Sequence, residues 1–319
     1  MSLPTDPFLA ADHRLVPSAG GRTGAPEDVV VLGRRRLVLA RLRRNRAAMA
    51  ALVVLVLLVV AAVLGPVTYR WITGWGYIGQ DRTALLQPPS AEHWFGTTLI
   101  GVDVFAQTLR GLQKSLLIGF LAAVISTGLA AVVGAFAGYL GGWVDRGLMW
   151  LVDLLLVIPA FLVVAVLGRG LGEAGWPVLT LLIALFAWMI TARIVRGTTL
   201  SLREREFVLA ARFSGVSVPG IVFRHLIPNM SSLLIIDATI TVATAIIAES
   251  GLSYFGFGVR PPDVSLGSMI AVGTPSAFTS PWLFMFAGGL LVLTTLAVSV
   301  LGDGLRDALD PGSTRRAGR

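Results

Sequence analysis

The sequence predicts an all-α polytopic membrane protein with six transmembrane helices, and three observations carry that expectation. Of 319 residues, 55% are hydrophobic and only 14% charged, with a mean hydropathy of +0.78, far more apolar than a soluble domain. Several uncharged runs reach the roughly 20 residues that a helix needs to cross about 30 Å of hydrocarbon. The basic residues behind the net charge of +8 gather at the ends of those runs, not in one patch. The charge therefore marks membrane topology, and no nucleic-acid partner is expected.

The elements follow in chain order. Residues 1–33 mix Pro, Gly, Asp and Ser without apolar periodicity and read as a disordered tail. Seven arginines between positions 34 and 46 complete a basic tail, 1–46, suited to anionic headgroups of the lipid bilayer. A twin-arginine export signal is the competing reading of Arg34-Arg35-Arg36; four further arginines before the apolar run disfavour it. The first span, 47–69, exceeds the apolar core of a cleaved signal and is expected to remain as an anchor. Residues 70–114 follow as a long loop rich in Gly, Pro and aromatics. The second and third spans are 115–144 and 147–168, the latter interrupted by Asp153 and kinked by Pro159. The fourth is 174–192, the fifth 231–248, short and holding Asp237, and the sixth 281–302, before a tail at 303–319.

Six spans put both termini on one side, and the lysine and arginine bias says which. An N-inside arrangement assigns nine basic residues to the N-terminal tail, one to Arg146, six to residues 193–224 and four to the C-terminal tail. Only Arg70, Arg82, Arg110, Lys114, Arg169 and Arg260 remain opposite. Both termini and the loop at 193–230 are therefore expected in the cytoplasm.

The second span carries a small residue at every fourth position: Ala122, Ser126, Ala130, Gly134, Gly138 and Gly142. Such a stripe lets a helix backbone approach closely, within the chain or from a partner subunit. The abundance of glycine, 36 in the chain, is the competing explanation.

Little in the chain suggests catalysis. His13, His93 and His225 are scattered, and cysteine is absent, which removes thiolate metal sites and a cysteine nucleophile. The only lysine, Lys114, follows Gln113 and not Gly, so there is no standard phosphate-binding loop for ATP. No enzymatic activity, metal or cofactor of its own is expected. Three acids fall in or at the ends of spans. Asp153 and Asp237 lie about 9 Å from the cytoplasmic helix ends at 1.5 Å per residue, and Glu249 sits at the outer end of the fifth span. Each is a candidate to face a water-filled path through the helices, where a carboxylate could meet a passing solute, or to make structural hydrogen bonds.

Between the fourth and fifth spans the segment EFVLAARFSGVSVPGIVFRHLIPN, 206–229, is polar and arginine-bearing. Its composition predicts a short helix through Ala210 and Ala211, a tight turn at Gly215, a second helix begun by Ser217 and Pro219, and an end at Pro228. Phe213, Val216 and Ile221 are expected to be exposed and to seat in a groove on a soluble partner. An amphipathic loop resting on the bilayer is the alternative.

The Ala210-Ala211, Gly215 and Pro228 spacing resembles the cytoplasmic loop of permease subunits of ATP-binding-cassette (ABC) importers. Residues 44–58, 85–105, 209–229, 248–270 and 301–311 are similar to the dipeptide and oligopeptide branch, in its second permease type. The resemblance implies a type I ABC importer transmembrane domain with its permease core at 115–302 and a coupling loop at 193–230. It also implies a heterodimer with a homologous second permease, two ABC ATPase subunits that carry ATP and Mg, and an extracytoplasmic peptide-binding protein. The expected location is the bacterial plasma (inner) membrane, and the expected cargo is short peptides. Nickel, glutathione or another small solute is the alternative cargo. An ATP-independent channel or secondary carrier is the alternative class, and such a protein has no need of a docking loop. The chain departs from the family pattern at Leu209, where the generic triplet has glutamate, at His225 in place of isoleucine, and at Thr98 and Val102 in the first outer loop.

Overall fold

The computed structural model describes residues 34–170 and 175–309; the expected tail at 1–33 and residues 310–319 lie outside the described residues. Among the described residues there is no strand, only isolated antiparallel bridges between Gln80 and Val102 and between Thr97 and Asp103. The basic segment is itself a helix, α1 (Arg34–Arg44). Asn45 then caps α2 (Arg46–Thr73) by accepting from the Ala48 amide at 3.1 Å. After a folded loop comes α3 (Val104–Leu140), capped in the same way by Asp103, whose carboxylate accepts from the Ala106 amide at 2.8 Å. The chain continues through α4 (Gly142–Val157), α5 (Ala160–Gly170), α6 (Gly175–Ala187) and α7 (Met189–Leu202). Short α8 (Glu206–Phe213), α9 (Val218–Ile221) and α10 (Ile227–Asn229) lead to α11 (Ser231–Tyr254), α12 (Leu266–Gly273) and α13 (Trp282–Leu309).

Four helices, α2, α3, α11 and α13, are each long and apolar enough to cross a membrane. Two bent pairs raise the number to six if each is one span: α4 with α5, at 79°, and α6 with α7, at 44°. The first bend has a local cause. A proline pushes its preceding residue out of the α region, and Ile158 accordingly sits at φ −75°, ψ 124°. The kink expected at Pro159 is thus a full break.

Helices extend past the ends that charge and hydropathy suggest. α3 begins at Val104, well ahead of position 115, because Asp103 supplies its cap while Arg110 and Lys114 find partners in the folded structure. α7 runs on to Leu202, past the expected span end at 192. Its Arg193 pairs with Asp153, and Arg196 pairs with Asp145, so these cations do not mark a helix end. The connecting loop proper begins at Arg203, ten residues later than the expected start at 193.

α3 is the centre of the fold, in contact with α2, α4, α6, α7, α11, α12 and α13. Its small residues make this possible: Ala122, Ser126 and Ala130 are buried, and a Cβ at Gly134 would fall 2.5 Å from the Ala192 carbonyl oxygen. At Gly138 the Arg196 carbonyl oxygen stands 2.7 Å from the same position. From Ala130 to Gly138 the stripe therefore packs α3 against α7 of its own chain, while Ala122 packs with residues of α6 and α11. Gly142 does not belong to it. That residue is exposed at φ +57°, with nothing within 4 Å of a Cβ, because the chain turns at Gly141–Gly142 before α4.

Side-chain clusters show which ends lie together. Leu42 and Ala48 pack with Ala308, and the end of α3 packs with residues 208–230. The start of α2, the end of α13 and the loop after α7 therefore share one face. Residues 74–103 form a cap at the opposite face. There the buried Asp103 carboxylate accepts from Tyr69 Oη at 3.0 Å and pairs with His93 Nδ1 at 2.8 Å. Thr83 donates its hydroxyl (2.6 Å) and amide (2.8 Å) to Asp81 and holds that carboxyl below its ordinary pKa.

Candidate functional site

The loop between α7 and α11 is built on a rigid turn. After α8, the Gly215 amide donates to the Arg212 carbonyl at 3.1 Å and the Val216 amide to the Ala211 carbonyl at 3.1 Å. With Gly215 at φ +77°, this is a complete Schellman cap, and glycine occupies the left-handed position that the motif requires. Ser217 then caps α9 by accepting from the Gly220 amide at 3.4 Å. A π-helical turn, Val222–Leu226, follows, and Pro228, which has no amide hydrogen to place, lies directly behind it.

Anchoring comes from the inward face. Val208, Ala211, Ile221, Val222 and Leu226 form one buried cluster with Ala135 of α3 and Val195 of α7. Arg203 Nη1 donates to the Gly138 carbonyl at 3.2 Å, and Phe223 meets Phe136 edge to face. The expectation that Ile221 is exposed is corrected: it is 1% exposed, because α9 is only one turn long and turns that side chain towards α3. Val216 and His225 are half-buried, and Ala211 is buried. Ala210, Gly215 and Pro228 are exposed. Phe213 is 87% exposed, one turn from the exposed Leu209. The pair at i and i+4 gives α8 an apolar stripe facing away from the protein. Leu209, the position at which the sequence departs from the glutamate of the generic triplet, belongs to this stripe, and its helical spacing from Phe213 is the sequence signal for it.

A consequence for mutagenesis follows. Ile221→Asp places a carboxylate in a sealed apolar cluster and is expected to cost roughly 3–5 kcal/mol, seen as degraded or aggregated protein. Phe213→Asp is expected to leave the amount and melting of the purified protein unchanged while weakening capture of a soluble partner. Equal loss of folded protein in both variants would contradict this division of the loop.

Residues 130–315 match the family described as the binding-protein-dependent transport system inner membrane component. The chain belongs to that family. Its residues 33–89 also match the N-terminal transmembrane domain of oligopeptide transport permease C. The chain is 55% identical over 281 residues to the oligopeptide transport system permease protein OppC of Mycobacterium tuberculosis strain H37Rv, covering 88% of this chain and 95% of that one. It is 42% identical over 233 residues to a putative peptide permease protein of Brucella suis biovar 1, with 72% and 77% covered. OppC of Bacillus subtilis strain 168 is 39% identical over 231 residues, with 70% and 73% covered. The all-α, multi-span architecture is accordingly that of a type I ABC importer transmembrane domain.

In this transport component the three acids singled out from the sequence have different surroundings. Asp153 is exposed and paired with Arg193. Asp237 accepts from Thr127 Oγ1 at 2.7 Å and Thr191 Oγ1 at 2.6 Å, and it lines a groove of about 450 Å³ with Arg306. Glu249 is fully buried and accepts from Ser253 and Ser265 at 2.6 Å and from Ser115 at 3.4 Å, tying α11, α3 and the start of α12 together. The Asp145–Arg196 pair was not foreseen, since 51 residues separate its members. At the departing positions of the outer loop, Thr98 Oγ1 accepts from the Val102 amide at 3.0 Å and Val102 is buried, while Asp103 keeps its network with Tyr69 and His93.

Proposed function

We propose that the chain is the permease subunit of an ATP-driven importer of short peptides and works by passing motion from ATPase subunits to a membrane path. It pairs with a second, homologous permease, engages two ABC ATPases that hold ATP and Mg, and receives cargo from an extracytoplasmic peptide-binding protein. The chain itself catalyses nothing and carries no cofactor. The observation that supports this most is the loop at 203–230: a Schellman-capped α8 presents Phe213 and Leu209 outward while its other face is anchored on α3 and α7. A surface of this kind suits helix-in-groove docking. Force applied there reaches the spans through the anchoring cluster and the Arg203–Gly138 contact. Of the three acids, Asp237 is the one assigned to the path, because it lines a groove, whereas Asp153 is held in an ion pair with Arg193 and Glu249 in hydrogen bonds from serines.

Reconstitution tests the assignment. The purified chain in detergent should hydrolyse no ATP, and the complex with its ATPases and second permease should do so and take up tripeptide into liposomes. Turnover by the isolated chain at the rate of the complex would refute the division of labour.

The same reading places the N terminus, the loop and the C terminus on the cytoplasmic side of the bacterial plasma membrane. The chain has no cysteine, so single cysteines report cleanly. Thr279→Cys, exposed between α12 and α13, is expected to react with an impermeant thiol reagent in intact cells, and exposed Ser217→Cys only after lysis. The reverse pattern would invert the topology.

A further inference from the structure

Between α2, α3, α11 and α13 lies a cavity of about 870 Å³, walled by apolar side chains such as Val59, Phe120, Val242 and Leu301. Its charged groups, Arg110 and Lys114, lie near the start of α3 beside Gln113, and Thr239 of α11 is the other hydroxyl-bearing or amide side chain in the lining. Lys114 is 6% exposed. Its ammonium lies 2.9 Å from Asp263 Oδ1 and 4.3 Å from the centre of the Trp176 ring. Arg110 reaches the same carboxylate only at 3.9 Å, gives Nη1 to Gln113 at 2.5 Å and stands 5.0 Å over the Tyr77 ring. Its Nε is buried with no hydrogen-bond partner.

Two cations thus share one carboxylate in an otherwise apolar cavity. Glu249 does not redress the balance, being enclosed by serines and absent from the lining. Lys114, the buried cation, takes the close contact with Asp263, which leaves the partly exposed Arg110 the less neutralised of the two; an aromatic face holds a cation in place without neutralising it. The surplus charge, on the partly exposed Arg110 guanidinium, suits an incoming anion with two oxygens, which an arginine fork binds well. The volume falls in the range of small-ligand sites, roughly 300–1,000 Å³.

We infer that Arg110 and Lys114 form a subsite for the C-terminal carboxylate of the transported peptide, at the end of the cavity away from the coupling loop. The inference rests on the peptide-importer reading above and adds a chemical preference to it: a free carboxylate is selected by the permease itself, apart from the binding protein.

The test uses the complete transporter in liposomes, with tri-alanine and tri-alanine C-terminal amide as probes. Each peptide is supplied on binding protein confirmed to be fully loaded, so that maximal uptake rates report the permease. The wild-type acid-to-amide rate ratio is expected to be about ten or more, the worth of one charge-assisted hydrogen bond. Lys114→Gln should bring the ratio close to one, and Lys114→Arg should retain most of it. A ratio that Lys114→Gln leaves unchanged, including equal loss of both rates, would show that the cations are structural or that the second permease covers the cavity. A wild-type ratio near one overturns the subsite and leaves peptide import standing. Absence of ATP-driven uptake of either peptide by the wild type overturns the peptide reading and the subsite together.

Discussion

Gly215→Arg is expected to abolish peptide uptake while leaving the protein inserted in the membrane at near-normal amounts. Two effects act together. A non-glycine residue held at φ +77° pays roughly 1–2 kcal/mol for the left-handed geometry, and the Schellman cap that aims α8 is weakened. The larger effect is obstruction. Nothing lies within 4 Å of a Cβ at position 215, so the chain itself accommodates the new side chain and a guanidinium projects from the exposed face of the loop, where the ATPase is proposed to dock. Gly215→Ala meets only the first effect and should reduce uptake modestly. The measurement is uptake alongside the amount of ATPase that co-purifies. Normal uptake by Gly215→Arg at normal expression would remove the loop from its coupling role.

Gly134→Val is expected to have the opposite signature, with loss of the protein itself. A Cβ there meets the Ala192 carbonyl oxygen at 2.5 Å and Val195 Cβ at 2.8 Å, backbone and branched side chain that cannot swing aside. Overpacking of this kind costs about 1–3 kcal/mol even in forgiving sites, and here relief requires α3 and α7 to separate. Gly128, on the same helix with nothing within 4 Å of a Cβ, provides the control, and Gly128→Val should accumulate normally. The check is steady-state amount and thermal melting in detergent; a Gly134→Val protein as stable as Gly128→Val would mean that the close approach of α3 and α7 is not needed.

These two glycines also mark what a sequence reveals. Gly215 was legible because a turn residue, a following cap residue and a proline lie within a few positions of one another, and local chemistry fixes local shape. The stripe through Gly134 and Gly138 was legible as spacing, although only the fold shows that α7 fills it. Helix ends were harder to read. Arg193 and Arg196 look like a boundary until Asp153 and Asp145, far back in the chain, are seen to neutralise them. The orientation of Ile221 was also out of reach, since a single helical turn has no period from which to find a buried side. Pairings such as Lys114 with Asp263 depend on chain reversal through several spans, and no spacing rule announces them.

The length of α3 has a mechanical meaning. Its 37 residues span roughly 55 Å at 1.5 Å per residue, without a break. One end is clasped by Arg203 and Phe223 of the loop, and the other is fixed in the Asp103 network of the opposite cap. A helix resists shortening, so under the proposed coupling α3 would serve as a pushrod: a shove at the loop would be delivered to the far cap, with Lys114 carried along on the same rod. The bent pairs α4–α5 and α6–α7 stand beside it with interrupted backbones, and in that scheme they would be the joints that give while the rod holds its length.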